Sequence, residues 1–157
     1  MKRIIVDVDR CSGCRLCEAV CSFAHENLFA CSASRMTVLK EDGFGFDLPV
    51  VCWHCSRCPP LEKCPTKALK RSPEGLIYLS EEECVGCGKC VEACPVGAVR
   101  LHPDRHTPLI CDQCGGKPLC VRKCPTKALT YSVTKIHRPR PPSKILEETL
   151  RKWRTVA

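Results

Sequence analysis

The 157-residue sequence has few aromatic and methionine side chains, with two Trp, two Tyr, four Phe and two Met. It also has no apolar run approaching the roughly 18 residues that a membrane-spanning helix requires. Without cysteine, only about a third of the chain consists of ordinary apolar residues. A core of that size is thin for this length, so disulfides or bound metal should contribute to stability. The same shortage argues against an ordinary enzyme with a large buried pocket.

Features of a secretory signal are also missing. Asp7 and Asp9 interrupt the apolar residues that follow Arg3, and there is no twin-arginine leader. We therefore expect a cytoplasmic protein, in which thiols stay reduced. No Ser–His–Asp set, glycine-rich phosphate loop or carboxylate pair stands out. We therefore expect that the chain is not an enzyme by itself.

Cysteine is the abundant residue, with 17 copies in 157 positions, or about 11 %. In a reducing compartment this density indicates metal ligation. Sixteen cysteines form four groups, and Cys31 is left over. The groups are Cys11, Cys14, Cys17 and Cys21; Cys52, Cys55, Cys58 and Cys64; Cys84, Cys87, Cys90 and Cys94; and Cys111, Cys114, Cys120 and Cys124.

An internal repeat underlies the groups. Residues 63–69 and 123–129 both read KCPTKAL, and residues 93–99 read ACPVGAV. The last cysteines of these three groups lie 30 residues apart, and each is followed by proline. The first group departs from the repeat because Ser22 follows Cys21.

The spacing C-x2-C-x2-C places three soft thiolates on one tight loop, as iron–sulfur clusters require. In C-x2-C-x2-C-x3-C-P, the fourth cysteine lies on a helix and ligates the neighbouring cluster of two-cluster ferredoxins. The alternatives are a disulfide scaffold and a zinc-dependent nucleic-acid module. Zinc sites use paired C-x2-4-C units, and the pair His102 and His106 has no unclaimed C-x2-C before it.

The chain resembles the four-cluster ferredoxin-type electron-transfer subunits of molybdenum or tungsten pterin oxidoreductases, certain hydrogenases and carbon monoxide dehydrogenase. The resemblance covers about residues 3–134, through CSGCRLCEAVC, CWHC…KCPTKAL, CVGCGKCVEACPVGAV and CDQCGGKPLCVRKCPTKAL. It implies an α+β fold of two pseudo-symmetric, two-cluster ferredoxin-like lobes built from short strands and helices, followed by a C-terminal arm and helix. We expect lobe I at 1–34 and 100–134, a hairpin-like insertion at 35–51, lobe II at 52–99, and a proline-rich linker with an amphipathic docking helix at 135–157.

The resemblance also implies a nested pairing of cysteine groups, the first with the fourth and the second with the third. Four 4Fe-4S clusters would then be held by four sets of cysteines, named here by their first residue. They are the Cys11 quartet (Cys11, Cys14, Cys17, Cys124), the Cys111 quartet (Cys111, Cys114, Cys120, Cys21), the Cys52 quartet (Cys52, Cys55, Cys58, Cys94) and the Cys84 quartet (Cys84, Cys87, Cys90, Cys64).

One position departs from the family pattern. Relatives place the third cysteine of the second group where this chain has Pro60, and Cys58 stands nearby instead. We expect Cys58 to be a ligand, the alternatives being a three-iron cluster or recruitment of another residue. Cys31 is expected to be a free buried thiol rather than a ligand. His54, between two cysteines, is interpreted as a packing or hydrogen-bonding residue.

The family implies one-electron transport between a large catalytic subunit and an acceptor or donor. The partner is expected to be a tungsten or molybdenum aldehyde oxidoreductase. The alternatives are a hydrogenase, a formate dehydrogenase, a carbon monoxide dehydrogenase, or a free-standing polyferredoxin without a partner. A flavin subunit and further copies of this chain, arranged as filaments, are additional candidate partners, whereas nucleic acid and membrane are not expected.

The formal net charge of +8 fits this interpretation. Residues 135–157 carry seven Lys or Arg against two Glu, which leaves +5 there and +3 for residues 1–134. Four oxidised clusters with four thiolates each would carry about −2 apiece. The basic excess therefore offsets cluster charge and is no evidence for nucleic-acid binding.

Hydrophobic patterning predicts only short elements. Helices are predicted at 17–29, 88–94 and 120–124, with a C-terminal helix capped by Ser143. Strands are predicted at Lys2–Val8, Met36–Leu39, Phe44–Val51, Ala68–Arg71, Leu76–Leu79, Ala98–His102 and Leu129–Thr134.

Overall fold

The computed structural model describes residues 1–133 and 141–154, and its helices and strands are short, as expected. Helices and strands together confirm the α+β class. The helices are α1 (Leu16–Glu26), α2 (Pro59–Lys63), α3 (Lys89–Ala93), α4 (Leu119–Lys123) and α5 (Pro142–Arg154). The strands are β1 (Lys2–Val6), β2 (Met36–Glu41), β3 (Phe46–Val51), β4 (Leu69–Arg71), β5 (Ile77–Leu79), β6 (Arg100–Leu101), β7 (Pro108–Leu109) and β8 (Leu129–Val133).

The strands form antiparallel pairs, β1 with β8, β2 with β3, β4 with β5 and β6 with β7. The first pair joins distant parts of the chain, with Lys2 opposite Val133 and Val6 opposite Leu129. Helix α1 contacts α4, and α2 contacts α3. The first cysteine group therefore lies beside the fourth, and the second beside the third. Division of the chain into two lobes stays a prediction.

Cysteine side chains form part of the apolar cores. Ile4, Met36 and Leu129 are buried together with Cys17 and Cys111 in one of them. In another, Leu69 and Ile77 pack with Cys90. The small number of ordinary apolar residues is thus supplemented by the residues expected to bind metal.

The predicted hairpin at 35–51 is present as β2 and β3, and it contributes to two cores. Val38 and Val51 pack against Ile4 and its neighbours. Leu48 and Val50 instead pack with Val96 and the residues around it. Because alternate residues of a strand face opposite sides, one strand can serve both cores.

Several boundaries differ from the predictions. Strand β1 ends at Val6 because the side chain of Asp7 accepts a hydrogen bond from the Asp9 N–H at 3.2 Å and begins a 3-10 turn. Helix α2 was not predicted. It begins with two prolines, Pro59 and Pro60, which the first turn tolerates because its N–H groups have no partner in the helix.

Helix α5, predicted as a docking helix, packs against the rest of its own chain. Ile145 and Leu146 pack against the core that contains Val96, Thr149 is buried, and Lys152 pairs with Asp9. The apolar face of the helix therefore covers an apolar surface of its own chain. The helix begins at Pro142, so Ser143 lies in its first turn and is not its cap.

The rest of the predicted C-terminal arm, residues 134–140 and 155–157, lies outside the described residues. A docking role for 135–157 stays a prediction. Among the helices that the structure describes, none has the length and apolar character needed to cross a bilayer.

Candidate metal centres

The four cysteine groups share one loop conformation. The residue just before the second cysteine has a left-handed backbone in every group, with φ of 62° at Gly13, 47° at His54, 66° at Gly86 and 57° at Gln113. Two of these residues donate their N–H to the sulfur of the group's first cysteine. The distances are 3.5 Å from His54 N to Cys52 Sγ and 3.4 Å from Gln113 N to Cys111 Sγ. Such bonds favour thiolate and fix the sulfur for metal binding.

The proline after the last cysteine begins a second repeated turn. Lys67, Gly97 and Lys127, each three residues beyond that cysteine, have φ of 56°, 67° and 55°. Each donates its N–H to that cysteine's carbonyl oxygen, at 3.3, 3.1 and 3.3 Å.

The KCPTKAL turns also support the sulfur atoms. Thr66 Oγ1 lies 3.7 Å from Cys64 Sγ, and Thr126 Oγ1 lies 3.7 Å from Cys124 Sγ. Burial acts to raise the pKa of Cys64, but hydrogen bonds from backbone N–H groups and from Thr66 outweigh it and lower that pKa. The pKa of Cys124 is lowered in the same way.

Three cavities are each lined by four cysteines drawn from two groups. One is lined by Cys64, Cys84, Cys87 and Cys90. A second is lined by Cys52, Cys55, Cys58 and Cys94. A third is lined by Cys21, Cys111, Cys114 and Cys120.

The set of ligands at each cavity fits an iron–sulfur cluster. Each cavity is lined by three cysteines from one group and one cysteine from another group. Soft thiolates arranged in this way are typical of 4Fe-4S ligation in two-cluster ferredoxins, whereas zinc sites use paired C-x2-4-C units.

Cysteines of the fourth predicted set also lie near one another, because Cys124 packs against the core that contains Cys17. Burial raises the pKa of Cys11, and the nearby charges of Asp47, Cys14 and Cys124 raise it further. Cys17, on the same loop, has its pKa raised to about 12 by burial, followed by the charge of Glu18. Cys124 thus reaches the first loop across the chain, as the nested pairing requires.

Cys58 and Cys31 occupy different surroundings. Cys58 lines the same cavity as Cys52 and Cys94, at the N-terminal end of α2. Pro60, at the family's usual ligand position, lines that cavity too. Cys31 lines none of the three cysteine cavities. It lies in a 3-10 turn, and its carbonyl accepts a hydrogen bond from Arg100 at 3.1 Å.

Exposure differs among the quartets. Of the 17 cysteines, all in the described part of the chain, only Cys14 and Cys87 are exposed. Cys52 and Cys111 are close enough for their charges to interact. The Cys52 and Cys111 quartets are therefore neighbours, and the Cys11 and Cys84 quartets each include an exposed cysteine.

Sequence reasoning missed two arginines that hold the Cys52–Cys58 loop. Arg3 Nε donates to the Trp53 carbonyl at 2.8 Å and its Nη2 to the His54 carbonyl at 3.4 Å. Arg71 Nη2 donates to the carbonyls of Cys55 and Ser56 at 2.6 and 3.1 Å. No local signal marks these contacts, because they join residues far apart in sequence.

Glu18 is another residue whose role was not predicted. Its carboxylate is fully buried beside Cys17 and accepts bonds from the Thr37 hydroxyl at 3.0 Å and the Val38 N–H at 3.1 Å. Arg15 Nε pairs with it at 2.5 Å. A carboxylate next to a cysteine on a helix was the signal that could have drawn attention to it.

His25 connects α1 to the fourth cysteine group. Its Nδ1 lies 2.8 Å from the Cys21 carbonyl oxygen, and its Nε2 lies 3.2 Å from both carboxylate oxygens of Asp112. Arg35 Nη1 also pairs with Asp112, at 2.9 Å. The bond to Asp112, followed by that to Cys21, raises the pKa of His25 to about 10. The spacing of Cys21 and His25, four residues apart on one helix, was the available signal.

His54 is a buried hydrogen-bonding residue, as interpreted from the sequence. Its Nδ1 accepts the Ile77 N–H at 2.8 Å, which leaves the proton of the neutral ring on Nε2. Burial, aided by the charges of Arg3 and Arg71, lowers the pKa of His54 to about 4. The ring is therefore neutral near pH 7.

Comparison with known families agrees with this geometry. Residues 79–131 and residues 51–98 each match a family described as a 4Fe-4S dicluster domain, and residues 8–24 match a 4Fe-4S binding domain. The two dicluster matches overlap and together span residues 51–131. Multiple 4Fe-4S clusters are thus its cofactors, and the ferredoxin-type resemblance is confirmed.

Two curated relatives of these 4Fe-4S domains are subunits of larger enzymes. Over 89 residues the chain is 42 % identical to the polyferredoxin-like subunit of aliphatic sulfonate oxidoreductase from Pyrococcus furiosus, covering 56 % of this chain and 51 % of the relative. Over 87 residues it is 34 % identical to the formate dehydrogenase iron–sulfur subunit of Wolinella succinogenes, covering 54 % and 44 %. The match spans about half the length of the curated relatives.

A solved structure matches the 4Fe-4S chain over most of its length. A chain of the active-site complex BamBC of benzoyl coenzyme A reductase, as isolated, has a TM-score of 0.54 and 26 % identity. The match covers 97 % of this chain and 88 % of that one. The likeness therefore extends beyond the segments aligned with the curated relatives.

Proposed function

We propose that this chain is an electron-transfer subunit, which passes electrons one at a time between a catalytic oxidoreductase subunit and a second redox partner. The observation that carries the proposal is the set of three cavities, each lined by four cysteines from two groups. We assign the Cys52, Cys84 and Cys111 quartets as ligands at these cavities and the Cys11 quartet as ligands of a fourth 4Fe-4S cluster. The clusters supply one-electron redox chemistry, and the chain supplies their ligands, spacing and electrostatic surroundings.

The quartets are ordered as a path through the protein. The interaction of Cys52 with Cys111 makes those two quartets neighbours in the middle. Exposed Cys14 and Cys87 belong to the Cys11 and Cys84 quartets, one at each end. Electrons enter at one end and leave at the other, since exposed ligands allow close approach of a partner.

The catalytic partner is proposed to be a cytoplasmic tungsten or molybdenum pterin enzyme of the aldehyde oxidoreductase type. The family resemblance supports this choice. The matches to an aliphatic sulfonate oxidoreductase subunit and to a benzoyl coenzyme A reductase complex support a large oxidoreductase partner in general. No catalytic step is assigned to this chain.

A formate dehydrogenase is the second candidate partner. The 34 % identity to a formate dehydrogenase iron–sulfur subunit favours it. The two candidates differ in the substrate that reduces the complex, because only one would be reduced by formate.

Anaerobic purification from the native source with metal analysis tests the proposal. We expect about sixteen irons per chain, from four clusters of four irons. A larger subunit containing tungsten or molybdenum should co-purify, and either formate or aldehydes should bleach the visible absorbance of the complex. Iron without any partner would support the free-standing polyferredoxin, and a colourless zinc protein would overturn the assignment.

Replacing Cys58 tests the ligand assignment at the position that departs from the family pattern. We expect Cys58→Ala to lower iron by up to about four atoms per chain, because it removes a thiolate from one cubane. Cys31→Ala is the matched control and should keep the full iron content. The opposite pattern of iron loss would mean that Cys31, and not Cys58, completes the cluster.

A further inference from the structure

We propose that the reduction potential at the Cys52 quartet is higher than at the Cys11 quartet, because buried or closely bound charges of opposite sign lie beside the two loops. This inference rests on the ligand assignments of the proposed function. It adds a direction to the path, since an electron would move downhill from the Cys11 quartet toward the Cys52 quartet.

The two loops are otherwise closely matched. Each contains three cysteines at x2 spacing, and each has a left-handed residue before its second cysteine, Gly13 in one and His54 in the other. His54 N donates to Cys52 Sγ at 3.5 Å, and hydrogen bonding from the Gly13 backbone acts to lower the pKa of Cys11. The backbone before the second cysteine is therefore similar in the two loops, whereas the charged side chains beside them differ.

Two arginines lie beside the Cys52 loop. Arg3 is 7 % exposed, whereas Arg71 is exposed and is fixed by its hydrogen bonds, and together they donate to four consecutive carbonyls, those of residues 53–56. Both positive charges are close enough to affect the proposed ligands. The charge of Arg3 acts to lower the pKa of Cys55, and the charge of Arg71 acts to lower the pKa of Cys58. Positive charge near a cluster stabilises its reduced form, which carries one more negative charge.

Two carboxylates lie beside the Cys11 loop. Glu18 is 0 % exposed, and its negative charge acts to raise the pKa of Cys17. The negative charge of Asp47 acts to raise the pKa of Cys11. The carboxylate of Asp47 is so close to the loop that a Cβ added at Gly13 would collide with it. Negative charge at this position opposes the addition of an electron.

Counter-charges reduce this contrast without removing it. Glu18 pairs with Arg15 and Asp47 with Lys40, but these cations have side chains 46 % and 37 % exposed and are screened by water. Near the Cys52 loop, the negative charge of Glu62 acts to raise the pKa of Cys58, but the Glu62 side chain is 52 % exposed and pairs with Arg57. The buried charges beside the two loops are thus the positive Arg3 at the Cys52 loop and the negative Glu18 at the Cys11 loop.

The redox step itself involves one electron and no bond. With 4Fe-4S clusters bound, the cysteines of the Cys11 quartet would hold the donor of one electron, and those of the Cys52 quartet would hold its acceptor. The Cys111 quartet lies next to both and would hold the cluster between them. No proton or additional reactant is needed for the balance.

Potentiometric titration of the anaerobic holoprotein, followed by electron paramagnetic resonance, tests the order. Arg71→Met should lower one step and Glu18→Gln should raise a different one, each by about tenfold in the reduction equilibrium, or ~59 mV for one electron. The step that Arg71→Met moves should lie at the higher potential in the unmodified protein. Asp47→Asn should raise the same step as Glu18→Gln and provides a second, less buried site if Glu18→Gln fails to fold.

Arg57→Met is the matched control, because Arg57 lies in the same loop as Cys55 and Cys58 with a side chain 90 % exposed. It should shift no step by more than a small fraction of the Arg71→Met shift. Arg71→Lys keeps the positive charge, so the reduction potential of the same step should stay close to that of the unmodified protein. This variant also controls for misfolding. Equal shifts from Arg57→Met and Arg71→Met, or a reversed order of the two steps, would overturn the inference. Failure of the proposed function would be seen separately, as an unmodified protein without iron.

Discussion

The first cysteine group and the other three end in different ways, and one residue explains the difference. In the others, the last cysteine ends a five-residue helix and a proline follows, as at Cys94 after α3. In the first group Ser22 stands in place of proline, and α1 continues through it to Glu26, with a total length of 11 residues. A helix ends before a proline, because proline disfavours helical backbone at the preceding residue, whereas serine allows the helix to continue. The additional turn of α1 places His25 beside Asp112, so the first group contacts the fourth group where the repeat is absent.

The largest effect should come from restoring the repeat at the first group. Ser22 is fully buried, donates to the Ala19 carbonyl at 3.0 Å and accepts the Ala30 N–H at 3.1 Å. Ser22→Pro should destabilise the protein by about 3 kcal/mol or more, since it breaks the helix and leaves these groups unpaired. The measurement is the guanidinium midpoint for loss of visible absorbance under anaerobic conditions.

The reverse change is the control for this prediction. Pro125→Ser, in the fourth group, should cost less than about 1 kcal/mol, because the loss is mainly the stiffness of the unfolded chain. Equal effects of the two changes would contradict the view that the residue after the cysteine decides helix length.

An intermediate effect is expected at the contact that the added turn makes. A double-mutant cycle of His25→Phe and Asp112→Asn should give a coupling of about 1–2 kcal/mol, because both groups are partly buried and hydrogen-bonded. The exposed pair Lys70 and Glu83, 2.8 Å apart, serves as a control with a coupling below about 1 kcal/mol. Similar couplings for the two pairs would show that α1 gains nothing from its extra turn.

The smallest effect should come from the left-handed position in the repeated turns. Lys67→Gly should stabilise the protein by roughly 0.5 kcal/mol, because glycine accepts positive φ without strain but costs chain entropy. Gly97→Lys should destabilise the protein by a similar amount, because lysine is strained at the positive φ of this position. The effect should be no larger, since no heavy atom lies within 4 Å of an added Cβ. Thermal midpoints of the holoproteins measure both, and a stabilising Gly97→Lys would contradict the prediction.

The loops and their turns were predictable from sequence because they depend on near neighbours. Cysteine spacing, proline position and the KCPTKAL repeat all act within a few residues. The contacts of Arg3 and Arg71 were not predictable, since they bond to carbonyls about 50 and 16 residues away. Patterning likewise identified an apolar face on α5, but it could not show which surface the helix would cover.

The pairing of β1 with β8 has a consequence for how the protein is made. In the proposed pairing, the second and third groups have all their cysteines once residue 94 is synthesised, whereas the first loop gains its fourth cysteine only with Cys124, shortly before β8. At roughly 5–20 residues per second, translation from Cys94 to Cys124 takes about 1.5–6 seconds. The Cys11 quartet would then be the last to be completed, and its thiols would have the longest exposure to oxidants and other metal ions during biosynthesis.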